Sequence, residues 1–367
     1  MKRFVIVMLL GLCFVQYLIQ PHAYAAQMFS DRQTQGQADM RRTLDGESRM
    51  VLDAISDGED LTQSISRILR QTKQQQRGAI AEAVAALTGA AAVMLLCSCA
   101  EAFSKTSRIS PLILQLAGAL GMTAAVYQTL AGLTSLCRET TEQIQIFSKS
   151  MLPVMTTAIG LSGSPASAAL VYSGTMFALD LCISLITGVY IPAVSAYVAI
   201  LTVNTAIGND MLKRLAACVK WLITGSLRLL LTLFFFYITI SGSVSHGMDA
   251  GTVKAAKFAL NSSVPLVGNI LSGATDSVLA GAVVLKNSLG VFGMLCICAI
   301  CLVPFLRIGV NYLAFKIGAA VLSPICPKLL SGLADGIADS IGMIFGMLGS
   351  CSAILFFELV YSVVMVT

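Results

Sequence analysis

The sequence predicts an all-α, polytopic membrane protein of about six or seven spans, with an N-terminal signal peptide and a short amphipathic region before the first span. Three observations carry that prediction. Hydrophobic residues make up 56% of the chain and charged residues 12%, where a soluble domain carries about 25% charged side chains. Apolar runs of about 18 residues or more recur, and the mean hydropathy is +0.81. The first residues have the three-part form of a secretory signal.

That signal is read first. Lys2 and Arg3 supply the charged start, residues 4–15 the apolar core, and Ala23-Tyr24-Ala25 the small-x-small cleavage site. The core is short and is followed by Pro21, so residues 1–25 read as a cleaved signal rather than a first anchor. Residues 26–78 are polar, with eight acidic and eight basic side chains. Leu44, Val51, Leu52 and Ile55 share one helical face, and Leu61, Ile65, Ile68 and Leu69 form a second stripe. Asp60 with Gln63 has the form of a helix cap. The expectation is an extracytoplasmic pair of amphipathic helices, resting on the membrane or on a partner.

The polytopic body occupies residues 79–367. Its expected segments are 79–100, 112–133, 151–172 (crossing or re-entrant), 173–203 with a break at Pro192, 221–240, a broken or interfacial segment at 262–288, then 289–306, 309–325 and 341–366. Residues 134–150, with Arg138, Glu139, Glu142 and Lys149, read as a polar connector. Orientation after residue 150 is undecided by charge, because the basic side chains split four against four between the two sides.

The net charge of +5 comes without a basic, aromatic-interleaved cluster, which argues against nucleic-acid binding. Of eleven cysteines, most lie inside apolar runs, where a thiol behaves as a small hydrophobe. Cys298-Ala-Ile-Cys301 has a redox or metal spacing but no partner ligands nearby. Downstream of the signal the one histidine is His246. No zinc-protease helix or phosphate-binding loop occurs. Gly160-Leu-Ser162-Gly-Ser164 lacks the final glycine of a nucleophile elbow. The chain therefore reads as a non-enzyme without a cofactor or metal.

Ionisable groups within spans are the best functional pointers, since each is costly unless paired or hydrated. Asp180 shares a face with Ser173, Ser184 and Thr187, and Arg228 with Thr224, Thr232 and Thr239. Lys316 sits with Tyr312 and Ser323, and Glu358 with Ser362. Asp180, Ser184, Arg228, Thr232, Lys316 and Glu358 are thus candidates for an intramembrane polar pathway or for structural pairing, with Asp180–Arg228 the expected pair. Pro265, Gly268, Gly273, Gly281 and Gly290 would interrupt a uniform helix, Lys257, Asp276 and Lys286 would be costly facing lipid, and Asn287 belongs to the same candidate segment. This marks 262–288 as a broken helix facing protein or water. Gly342, Gly346 and Gly349 form a packing face, internal or between subunits. Gly332-x-x-x-Gly336 falls in an expected polar loop.

The stretch "KFALNSSVPLVGNILSGATDSVLAGAVVLKNSLGVFG" at 257–293 resembles the hallmark segment of the stage III sporulation protein AE family of endospore-forming bacteria. "LPVMTTAIGLSGSPASAA" before it and "LAFKIGAAVLSPI" after it also resemble that family. The resemblance implies a component of the channel complex joining mother cell and forespore, placed in the mother-cell-derived membrane around the forespore. The implied partners are the other stage III proteins of the AA to AH set, including an ATPase, and a forespore-side channel protein. The family supplies no catalytic residues to carry over. Conduit subunit and non-conducting scaffold both remain open. A stand-alone transporter is disfavoured by the lack of inverted repeats. An oligomer is expected.

Overall fold

A computed structural model describes residues 42, 81, 84–101, 103, 111–161, 165–263 and 268–364. The signal peptide, Pro265 and nearly all of the amphipathic region lie outside them. The described chain is helical without strands. Seven helices follow in order: α1 Val84–Glu101, α2 Pro111–Leu161, α3 Pro165–Leu185, α4 Ile191–Ile207, α5 Asp210–Ser263, α6 Gly268–Leu322 and α7 Lys328–Val364. Six rods are long and apolar enough to cross a membrane, α3 and α4 counting as one.

Local chemistry explains where the helices stop and bend. Pro192 has no N–H, and its ring would meet the carbonyl of Gly188 in a regular helix. The backbone opens instead into a π turn over Ile186–Tyr190, closed by Ile191 N–H on Ile186 O. The rod therefore continues into α4 rather than ending. α4 stops at Gly208, the one described residue with a positive φ (71°), whose N–H bonds Asn204 O at 2.7 Å. Asn209 Oδ1 then accepts from Met211 N–H at 2.9 Å and starts α5.

Adjacent rods run antiparallel. Thr123 meets Thr202 (2.8 Å), Gln145 meets Asp180 (3.3 Å) and Ser148 meets Met176 (3.8 Å), so numbers fall along α3–α4 as they rise along α2. Tyr190 and Ser226 (2.8 Å) pair the α3–α4 rod with α5. Phe305 and Phe345 stack edge-on at 4.9 Å between α6 and α7. Gly342 and Gly349 of α7 lie under Tyr312 and Phe305 of α6, which makes these two an internal packing face, while Gly346 meets no neighbour.

Several segment boundaries differ from the sequence reading. Residues 134–150 are not a connector but the middle of α2. Cys137, Thr141, Ile144, Phe147, Met151 and Met155 recur at helical spacing and are buried, while the charged Arg138, Glu139, Glu142 and Lys149 are exposed. Residues 151–172 are shared between α2 and α3, joined through 162–164. The separate spans 289–306 and 309–325 are one helix, α6, which carries Pro304 and Arg307 inside it. Gly273, Gly281 and Gly290 do not interrupt it; a glycine inside a helix costs about 1 kcal/mol, which a long packed helix absorbs. Gly332 and Gly336 stand in α7, not in a loop, and Gly336 packs against Leu201.

The outward surface is apolar. Leu96, Phe177, Trp221, Leu229, Phe236 and Leu313 are all exposed, a burden in water but the lipid-facing coat of a bundle in a bilayer. α7 is the inner rod: Ile337, Ile341, Ile344, Leu348, Cys351 and Leu355 are buried, and it packs on α2, α3, α4, α5 and α6.

The α3–α5 contact supplies a test. The Tyr237 ring occupies the space a Cβ on Gly174 would take, and its hydroxyl donates to Leu170 O at 2.7 Å. Gly174→Ala displaces that ring and costs about 1–3 kcal/mol. Gly132→Ala, which meets nothing within 4 Å, is neutral or stabilising by up to about 1 kcal/mol. Melting temperatures of the purified variants read out the difference; equal shifts would contradict the packing described.

Candidate functional site

Three charged side chains on two helices meet near one end of the bundle, with a fourth from α5. Asp335 and Asp339 are one turn apart on α7 and so share a face. Alone they would repel. Lys316 of α6 reaches Asp335 Oδ1 at 3.1 Å and Asp339 Oδ1 at 3.4 Å, and Lys220 of α5 reaches Asp339 Oδ2 at 2.6 Å. Two positive and two negative charges cancel, and Asp339 accepts from both lysines. The cluster joins α5, α6 and α7 through charge-assisted hydrogen bonds between partly exposed groups.

The cluster lies close to the turns at 208–209 and 323–327. Cys97 of α1 and Leu330 of α7 both pack at Gly118 of α2, which brings the α1 C-terminus and the α2 N-terminus to this same end. Ser331 and Ser323 bond at 2.9 Å across the α6–α7 turn. The basic side chains near these turns are Lys213, Arg214, Lys220, Lys316 and Lys328, and the sequence between α1 and α2 adds Lys105 and Arg108. The four-against-four split arose from dividing α6 in two, which set Lys328 on the opposite side from Lys213, Arg214 and Lys220.

The other candidates are dispersed. Asp180 is exposed and accepts from Gln145 Nε2 at 3.3 Å. Arg228 is also exposed, and among the described residues it forms no ion pair. The expected Asp180–Arg228 pair is therefore not formed. The α3–α5 register set by Tyr190 and Ser226 explains why: it puts Arg228 level with the π turn, about two helical turns from Asp180. Ser184 is exposed. Thr224, Thr232 and Thr239 are exposed as well, and each hydroxyl turns back onto a carbonyl of its own helix at 2.8 Å. The Arg228 stripe thus faces outward from the chain.

Glu358 is fully buried on α7, and Ser362 Oγ donates to its Oε1 at 3.0 Å. Asn287 has a buried Oδ1 without a partner. Pro265 lies outside the described residues, and Gly268 is the first residue of α6. Asp276 and Lys286 fall within α6, but their side chains are outside the described set.

Sequence reasoning missed Asp335 and Asp339 because residues 326–340 read as a loop. The signal was present as two aspartates four apart in "LADGIADSI", flanked by apolar positions at helical spacing. It also missed the thiol contacts. Cys351 Sγ lies 3.3 Å from Cys182 Sγ, and Cys301 Sγ lies 3.1 Å from Ser352 Oγ. Cys298 is exposed beside an apolar recess of about 500 Å³ between α6 and α7, bounded by Phe305 and Phe345.

The charge cluster is testable by a double-mutant cycle. Asp339→Ala leaves Lys220 without its counter-charge and Lys316 with Asp335 alone, and lowers the melting temperature more than Asp335→Ala does. Its cost shrinks in a Lys220→Ala background, with a coupling of about 0.5–3 kcal/mol. Strict additivity of the two changes would show that Asp339 does not join the helices.

The sequence matches the family model for stage III sporulation protein AE over residues 48–367. A relative of that name from Bacillus subtilis (strain 168) is 29% identical over 224 residues, a match that spans 60% of this chain and 56% of that protein. The chain thus aligns with little more than half the length of that relative. No solved structure matches. With most of its length matched by the family model, the chain belongs to the stage III sporulation protein AE family.

Proposed function

We propose that the chain is an integral membrane subunit of the sporulation channel that links mother cell and forespore, and that its polar outer face is completed by a neighbouring chain. Arg228 carries this reading. It stands about 27 Å along the helix from Asp210 and about 20 Å from Ser241, the ends of its candidate span. It lies within the apolar stretch of α5, about two turns past Lys220, and an arginine left facing hydrocarbon is costly. Thr224, Thr232 and Thr239 lie on the same stripe. Within one chain the inward charges are paired or hydrogen-bonded, so a hydrated route fits between subunits better than through one subunit. In this reading the membrane is the mother-cell-derived one around the forespore. The partners are the sister stage III proteins, an ATPase among them, and the forespore-side channel protein.

A scaffold reading draws on a separate observation. α5 and α6 contain 54 and 55 residues, about 80 Å each, against a hydrocarbon core of about 30 Å. Helices of this length extend past the bilayer and offer surface to other subunits.

The two readings separate on Arg228. In sporulating cells, Arg228→Ala and Arg228→Glu should block forespore development while the protein still co-purifies with its partners, if the stripe lines a route. Loss of co-purification with the same variants favours the scaffold. Wild-type sporulation by both variants sinks the role given to Arg228.

Orientation follows from the regrouped basic residues. The turns beside the charge cluster carry the excess of lysine and arginine and should face the cytoplasm. In a cysteine-free background, Lys213→Cys and Ile325→Cys should both react with an impermeant maleimide in inverted vesicles and stay unlabelled in intact cells. The opposite labelling pattern reverses the topology.

A further inference from the structure

α7 holds one carboxyl that the charge cluster does not use. Glu358 is buried at 0% exposure, between the buried Leu355 and Leu359 on its own helix. Near this level Leu359 of α7, Met151 of α2 and Gly293 of α6 converge. Ser362 Oγ donates to Oε1 at 3.0 Å, and Oε2 has no partner. Among the described residues no basic side chain pairs with Glu358.

Among the described residues, neither state of this group has all its partners. As a carboxylate it is a buried charge that faces no cation. As the neutral acid it carries its proton on Oε1 and donates to Ser362 Oγ, and the carbonyl Oε2 is still left without a donor. Both conditions are costly away from water, and a buried polar atom in this state calls for a missing partner. Two helices that pack on α7 each bring another buried oxygen without a partner, Thr175 Oγ1 on α3 and Asn287 Oδ1 on α6.

We infer that Glu358 is the anionic ligand of a small monovalent cation, an alkali-metal ion, bound inside the bundle. Hard oxygen donors suit such an ion. One carboxylate balances one positive charge, whereas a divalent or transition metal draws on several ionised or nitrogen and sulfur ligands. Among the described residues no group of three His, Cys, Asp or Glu side chains is placed to supply them. Ser362 orients the carboxylate through Oε1 and leaves Oε2 free to meet the ion. The inference is independent of the channel reading, since it concerns a site within a single chain.

The test uses the purified full chain in detergent, in lithium, sodium or potassium chloride against choline chloride at equal ionic strength. The melting temperature should rise by roughly 2–5 °C in at least one alkali chloride, at concentrations about tenfold above half-saturation. Glu358→Gln should abolish the rise and Ser362→Ala should reduce it. No alkali-dependent rise in the unaltered protein overturns the inference, as does an equal rise in Glu358→Gln. Should that variant fail to fold, the unaltered protein still decides. Modification of Glu358 by dicyclohexylcarbodiimide, followed by mass spectrometry, should slow at least threefold in the effective salt, and equal rates in all salts count against the site.

Discussion

Asp339 sits between two lysines that reach it from different helices, and the arrangement of the bundle's inner rod follows from contacts of this kind. α7 is surrounded by α2, α3, α4, α5 and α6. Polar side chains buried on such a rod need a partner from a neighbouring helix or from their own backbone, and the partly exposed aspartates near its end have one too. Lys316 and Lys220 answer the two aspartates. Ser350 and Ser340 answer themselves, by donating to Gly346 O and Ile337 O. The lysine pairings orient α7 about its axis, with Gly342 and Gly349 toward α6 and Ile337, Ile341 and Leu348 toward the centre.

Once α7 is fixed, close approach does the rest. Lipid tails are as apolar as leucine, so association between spans rests on packing and hydrogen bonds rather than on exclusion of water. The glycines at 118, 174, 293, 318 and 336 each have a side chain from another helix where a Cβ would stand. The buried threonines at 141 and 202 bond to carbonyls of their own helices, at 2.6 and 2.9 Å, and leave a methyl group to pack. A bundle built this way is dense at its centre, which is why the polar groups inside it read as fastenings.

The helical, membrane-spanning character of the chain was legible from hydropathy alone. Its segmentation was less so, and α2 shows why. Arg138, Glu139, Glu142 and Lys149 lower the average hydropathy over 134–150, but the helix there is defined by the period of its buried face. A window average erases that period. The same averaging hid Asp335 and Asp339 in a presumed loop and split α6 at Arg307. Arg228, Lys316 and Glu358 were legible as unusual residues, because an ion in an apolar run stands out in one dimension. Their partners were not, because Lys316 meets Asp339 only through the antiparallel folding of α6 on α7.

The distribution of polar groups separates two kinds of surface. The partly exposed charges between α5, α6 and α7 at the 208–209 end are neutralised within the chain, by two lysines and two aspartates from three helices. Arg228, on the outer face of α5, has no ion-pair partner among the described residues, and Asp180 on α3 has only an amide. The first arrangement is complete in one chain; the second is not. Hydrocarbon cannot complete it, since a bilayer offers neither counter-charge nor hydrogen bonds at that depth. In the proposed channel subunit, protein or water held by protein beyond the described residues completes it, and the exposed arginine marks where that surface lies.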